Sequence, residues 1–105
     1  MNRYMEKAIE LAHSSKCRHK HGCVVVKNGK IISKATNKKV GDPSVEFRLA
    51  LHAEFAAVVA AGTHAAGSTV YVARVQADGS TALSKPCKKC ENMMKRSGVS
   101  KVVWT

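Results

Sequence analysis

Two short runs in this 105-residue chain could do chemistry: His52-Ala53-Glu54 and Pro86-Cys87-Lys88-Lys89-Cys90. His52, Cys87 and Cys90 together offer one imidazole and two thiolates, three metal ligands in all. Catalytic zinc keeps three protein ligands and leaves the fourth position to water. Each run alone is weak. A lone histidine on an apolar helix is commonly a core residue, and a lone Cys-x-x-Cys serves equally as a redox pair or as half of a structural zinc site. A thioredoxin-like redox role would leave His52 and Glu54 without a task. Cysteines 17, 23, 87 and 90 would read as two disulfides in a small secreted protein. The N-terminus, Met1-Asn2-Arg3-Tyr4, opens no apolar signal-peptide core, so metal or redox chemistry in a cytoplasmic protein is the expectation.

The elements that must position these residues show in the periodicity and punctuation of the chain. Met5, Ala8, Ile9 and Ala12 recur at helical spacing, which predicts a helix over 3–15 with Asn2 as its N-cap. The β-branched run Cys23–Val26, then Asn28-Gly29, then Ile31-Ile32 predicts a hairpin with strands near 22–27 and 30–36. Residues 37–48 read as loop. Leu49 to Ala61 reads as a helix closed by Gly62, apolar nearly all round and so expected to be buried. Val70–Val75 is a third strand, followed by the turn Ala77-Asp78-Gly79-Ser80. Pro86 suits the first turn of a helix that runs to about Ser97 and ends at Gly98, and Val102-Val103-Trp104 makes a last strand.

Both chemical runs therefore open helices. Mid-helix, Glu54 would point away from His52; at a helix start the two can reach one point just beyond the helix end. Cys87 and Cys90, at i and i+3, share a face of the third helix. The N-terminal dipole of that helix favours their thiolate forms.

In this order and at helix starts, His-x-Glu followed by Pro-Cys-x-x-Cys resembles the signature of the zinc nucleobase deaminases. The chain as a whole resembles the cytidine/deoxycytidylate deaminase superfamily, and the likeness covers nearly all of it. It implies an α/β fold: one domain over residues 1–105, three layers α/β/α, with a mixed sheet of about four strands in the order α-β-β-α-β-α-β. The family's fifth strand is expected to be absent. It also implies one Zn2+ per chain on His52, Cys87 and Cys90, with water or hydroxide as fourth ligand, and Glu54 as proton shuttle rather than ligand. Asn37, after the second strand, matches a residue that binds the substrate's sugar or base. His21-Gly22-Cys23 resembles the segment lining the base pocket. Ser84-Lys85-Pro86 resembles a loop whose backbone touches the base or the leaving amine, and Ala53 joins the substrate-binding set. The implied reaction converts cytosine to uracil with release of ammonia, on free cytidine, deoxycytidine or a monophosphate. Cytosine in single-stranded DNA or RNA is the alternative substrate, with adenine ranking below it. A non-catalytic zinc module that binds nucleic acid is the alternative of another class.

Composition bounds these readings. Hydrophobic residues make up 45% and charged residues 24%, which excludes disorder and low complexity. No apolar run approaches the roughly 18 residues that span a bilayer. Eighteen Lys/Arg against seven Asp/Glu give +11, which favours a phosphate-bearing partner, nucleotide or nucleic acid. Three basic groups flank the motifs: Lys16, Arg18 and Lys20; Lys38 and Lys39; Lys85, Lys88 and Lys89. Aromatics are few, with Phe47 alone in a substrate-side loop, which argues against a long polynucleotide groove. The run Cys17, His19, His21, Cys23 reads as loop residues ending in a buried strand cysteine rather than as a second zinc site, and His64 reads as surface. A missing fifth strand would leave an exposed sheet edge at Trp104, so a homo-oligomer is expected.

Overall fold

The computed structural model describes residues 2–40 and 49–105, with the backbone alone at 39–40 and 49–51. Helix α1 spans Arg3–Ser14, and its N-cap is Asn2, whose side chain accepts from the backbone N–H groups of Tyr4 and Met5. Strands β1 (Lys20–Lys27) and β2 (Lys30–Thr36) form the expected hairpin. Its turn residues Asn28 and Gly29 have φ of 52° and 75°, the left-handed pair that a two-residue hairpin loop requires.

Two short strands lie where the sequence predicts a loop and the start of a helix. β3 (Lys38–Val40) pairs antiparallel with β4 (Leu49–Leu51). Leu49-Ala50-Leu51 suits a helix by propensity, but pairing with β3 takes up its backbone. His52 follows in extended conformation, so α2 begins only at Ala53 (Ala53–Ala61). Residues 41–48 of the expected loop, with Phe47 among them, lie outside the described residues.

Strand β5 spans Thr69–Val75, β6 Thr81–Ala82, α3 Lys88–Arg96 and β7 Lys101–Trp104. The main sheet runs β2-β1-β5. Along the far side of β5, β7 pairs in parallel with Thr69–Val72, while β6 pairs antiparallel with Arg74 and Val75. The mixed sheet thus has five strands where four are expected. The extra strand is two residues long, too short for any alternating pattern to reveal, and it exists because the turn after β5 folds back on it.

Helix α1 covers one face of the sheet, packing Met5 and Ala8 against Val24, Val26 and Ala73. Helices α2 and α3 cover the other, packing Ala53, Ala57, Val58, Cys90 and Met94 against Cys23, Val25, Val70 and Val72. Strand β1 is buried on both faces, which explains its unbroken apolar run from Cys23 to Val26. Helix α2 is not buried all round: Phe55 and Val59, one turn apart, are 45% and 60% exposed. Uniform apolarity hid which stripe of this helix meets the sheet. Among the described residues no helix is long and apolar enough to cross a membrane.

Candidate active site

His52 and Cys87 hold equivalent places, each the N-cap of its helix, and neither makes a side-chain capping hydrogen bond. Ser, Thr, Asp or Asn would cap better. Local helix stability is forgone at both ends, and the two side chains turn toward each other instead. Nδ1 of His52 lies 3.3 Å from Sγ of Cys90 and 3.6 Å from Sγ of Cys87. The three donor atoms all fall within 4.8 Å of one another, so the trio could hold a metal ion. Tetrahedral zinc, with Zn–S of about 2.3 Å and Zn–N of about 2.1 Å, places its ligand atoms roughly 3.5–3.8 Å apart, and the trio fits that ion.

Electrostatics points the same way. Burial pushes the Cys90 thiol well above its ordinary range, and Glu54 and Cys87 push it further. Converging negative groups in a half-buried site make a place for a divalent cation. Glu54, in the first turn of α2, is buried beside this trio. It lines an inner cavity of about 140 Å³ together with His21, His52, Ser84, Lys85 and Cys87. His21 and His52 also bound an outer cavity of about 510 Å³, completed by Cys17, Arg18, His19, Asn37, Lys38 and Arg74.

The family model of the cytidine and deoxycytidylate deaminase zinc-binding region matches residues 1–105. The chain belongs to that family. The family is a zinc-binding one, and the trio of His52, Cys87 and Cys90 could hold such an ion. Riboflavin biosynthesis protein RibD of Escherichia coli is 32% identical over 104 residues, 95% of this chain and 25% of that protein. RibD of Haemophilus influenzae is 36% identical over 73 residues, 66% of this chain and 18% of that protein. The chain thus spans a quarter or less of these relatives. The dCMP deaminase of cyanophage S-TIM5 superposes with a TM-score of 0.73 at 28% identity, covering 97% of this chain and 79% of that one. The phage enzyme has also been solved in complex with dCMP and dUMP.

The structure divides the remaining candidate residues of the chain into two groups. His21 and Ser84 are on the inner cavity wall, and Asn37 is on the outer. Gly22, Ala53 and Pro86 are buried and line neither of these cavities. Gly22 faces α1 so closely that a Cβ would collide with the backbone of Ala8 and Ala12, so packing alone explains the glycine.

Asn37 engages both ends of its amide locally. Its Oδ1 accepts from Ser15 Oγ at 2.7 Å and from the His21 N–H at 2.9 Å, while its Nδ2 donates to the His19 carbonyl. It clips the α1–β1 loop to the end of β2 and so holds the outer cavity wall. Ser84 is likewise occupied. Its hydroxyl donates to the Val72 carbonyl at 2.9 Å and accepts from the Thr105 N–H at 3.0 Å. Cys23 is wholly buried, burial holds its thiol well above the ordinary range, and His64 is exposed.

Sequence reading passed over two residues. Thr105 Oγ1 donates to the Ala82 carbonyl at 2.6 Å and accepts from the Arg74 N–H at 3.2 Å, tying β6 to β5. Arg74 itself reaches the outer cavity. A signal for Arg74 was present. It shares strand parity with Val70 and Val72, both fully buried, so it is a charge on the core-facing side of β5.

Proposed function

We propose that the protein is a zinc-dependent hydrolytic deaminase of a cytosine base carried by cytidine, deoxycytidine or a monophosphate of either. The observation that supports this reading best is the meeting of two helix N-termini. They bring His52, Cys87 and Cys90 within reach of one ion and set the Glu54 carboxylate beside them, on the wall of a cavity of about 140 Å³. His52, Cys87 and Cys90 hold the zinc, which supplies a water acidified toward hydroxide at neutral pH.

Glu54 moves the protons. Its carboxylate takes one from the attacking water and delivers it to the ring nitrogen, then takes the second from the new C–OH and gives it to the amine, so that the C–N bond breaks, ammonia leaves and a carbonyl remains. Burial at the N-terminus of α2 holds this carboxylate in place and in a favourable dipole. His21 and Ser84 wall the ring in. Because the Ser84 hydroxyl is occupied, its backbone and that of Lys85 are what the loop offers to the base. The single domain assembles as a homo-oligomer, through the exposed Phe55–Val59 stripe and the Trp104 edge.

The test is ammonia release from the zinc-loaded protein. Cytidine, deoxycytidine, their monophosphates and a cytosine-bearing single-stranded oligonucleotide are compared at two salt concentrations. Turnover of the mononucleosides or mononucleotides, little altered by salt, is expected. Turnover confined to the oligonucleotide and falling steeply with salt would replace this reading by the polynucleotide one. No ammonia from any of them would overturn it.

A further inference from the structure

Two open features meet on the α1 side of the sheet, opposite the face that carries α2 and α3. Strand β2 pairs with β1 on one side, and among the described residues nothing pairs with its other side. Every second residue of such an edge strand turns an N–H and a C=O outward without a partner. Beside it, α1 and the hairpin turn enclose a groove of about 550 Å³ lined by Arg3, Tyr4, Lys7, Gly29, Lys30 and Ile31. The groove shares no residue with the two cavities of the candidate active site.

Tyr4 holds the groove in shape. Its Oη donates to the Gly29 carbonyl at 2.8 Å and ties the first turn of α1 to the hairpin turn. Its ring carries the Arg3 guanidinium at 5.0 Å and lies 5.6 Å from the ring of Tyr71. The charge of the groove is one-sided. Lys7 is paired with Glu10, but Arg3 and Lys30 have no acidic partner among the described residues. Lys34 prolongs the row along β2. It lies opposite Val24, which packs against α1, so it stands on the same face. Ile31, 41% exposed, sets an apolar step between the two lysines.

These features select among occupants. A second copy pairing β2 with β2 would set lysines against lysines, and like charges across a ladder destabilise it. Nor does this chain own an acidic strand: its seven Asp and Glu are never closer than four positions apart. A single nucleic-acid strand wants free aromatic faces, and Tyr4 is already engaged by Arg3 and Tyr71. An extended peptide offers main-chain groups for the open edge, carboxylates for Arg3, Lys30 and Lys34, and an apolar side chain for Ile31. Lysines on a sheet edge ordinarily turn strands away. They turn away basic strands and admit an acidic one.

We propose that β2 and the groove beside α1 form a docking site for an extended acidic segment of another protein, which joins the sheet as a strand next to β2. The register slip at Ile32 divides the edge. Ser33–Thr36 offers the regular ladder, and Lys30 and Ile31 line the groove. The site is separate from the deaminase chemistry and stands or falls without it.

The probe is a fluorescent seven-residue peptide of alternating glutamate and valine, the length of β2, titrated with the zinc-loaded protein and followed by anisotropy. The parent is compared with two double variants of equal charge change. One combines Lys30→Glu with Lys34→Glu; the other combines Lys95→Glu with Lys101→Glu, exposed positions on α3 and β7. The parent should bind saturably. Binding should weaken at least about tenfold in the β2 variant, where attractive pairs become repulsive, and by less than about threefold in the other. A peptide of the same sequence N-methylated at every residue keeps its charge, loses its backbone donors, and should not bind the parent.

Circular dichroism checks that each variant is folded, and the N-methylated peptide keeps the test decisive on the parent alone. No saturable binding to the parent, equal losses in both double variants, or undiminished binding of the N-methylated peptide overturns the proposal. So does a single-stranded oligonucleotide that displaces the peptide at physiological salt. A change of oligomer mass confined to the β2 variant would also overturn it, by marking the edge as a contact between copies.

Discussion

Glu54 and His52 sit two residues apart, yet their tasks separate because only His52 lies outside the helix. His52 can therefore turn back toward the cysteines while Glu54, one step into the first turn, faces the cavity from the side. Glu54→Ala should keep one zinc per chain by metal analysis and lose deamination by about 10²–10⁴-fold, the usual worth of a positioned proton carrier. Loss of the metal would contradict the role assigned. His21 makes a second prediction. Burial lowers its pKa from the ordinary value of 6.5, outweighing the His19 carbonyl and Glu54, which raise it, while Arg74 and His52 lower it a little further. On acidification the unfolded chain binds the proton first. The stability contributed by neutral His21 is thus complete above the ordinary imidazole range and is lost as pH falls toward the lower folded value. An NMR titration should place its midpoint below that of a free imidazole; a midpoint above it would show that a counter-charge, not burial, governs the site.

At the scale of elements, the zinc site depends on a loop, Leu83–Cys87, that has no regular structure of its own. Hydrogen bonds at Ser84 fix it: Ser84 N–H to the Thr105 carbonyl, Ser84 Oγ to the Val72 carbonyl, and both the N–H and the hydroxyl of Thr105 to Ser84 Oγ. The Thr105 hydroxyl then binds β6 and the Arg74 backbone into the same knot. Thr105→Val should destabilise the protein by about 1–3 kcal/mol in denaturant unfolding, because it leaves Ala82 and Arg74 backbone groups short of a partner. Thr105→Ser should restore most of this, and a valine variant as stable as its parent would show the knot to be idle. The start of α1, the hairpin and its Asn-Gly turn were legible in the sequence because each is decided within a few residues, whereas α2 starts at Ala53 rather than Leu49 and α3 at Lys88 rather than Pro86. The β3–β4 pair and the strand β6 were not, because short strands exist only through a partner that is distant or lies across a turn.

At the scale of the molecule, +11 is the dominant long-range fact. Among the described residues the one ion pair is Lys7–Glu10, so most of this charge is uncompensated within the fold. Like charge opposes self-association, whereas Phe55, Val59, Leu83 and Trp104, all exposed by two-fifths or more, favour it. The assembly should therefore strengthen with salt: light scattering should show a larger mean mass at 0.5 M than at 0.05 M sodium chloride, since screening removes repulsion and leaves apolar contact intact. A strict monomer at high concentration in both would refute assembly. The sequence by itself determined the family and pointed to three candidate ligands and a neighbouring carboxylate, because ligand chemistry tolerates few residue types and the Cys87–Cys90 spacing follows from one turn of helix. Only the tertiary structure decided what surrounds them. It showed that Asn37 and Ser84 spend their side chains on the scaffold, that Gly22 answers to α1, and that Arg74 reaches the outer cavity. Each of those roles depends on a partner 10 to 55 residues away, and no local pattern encodes the approach of distant chain.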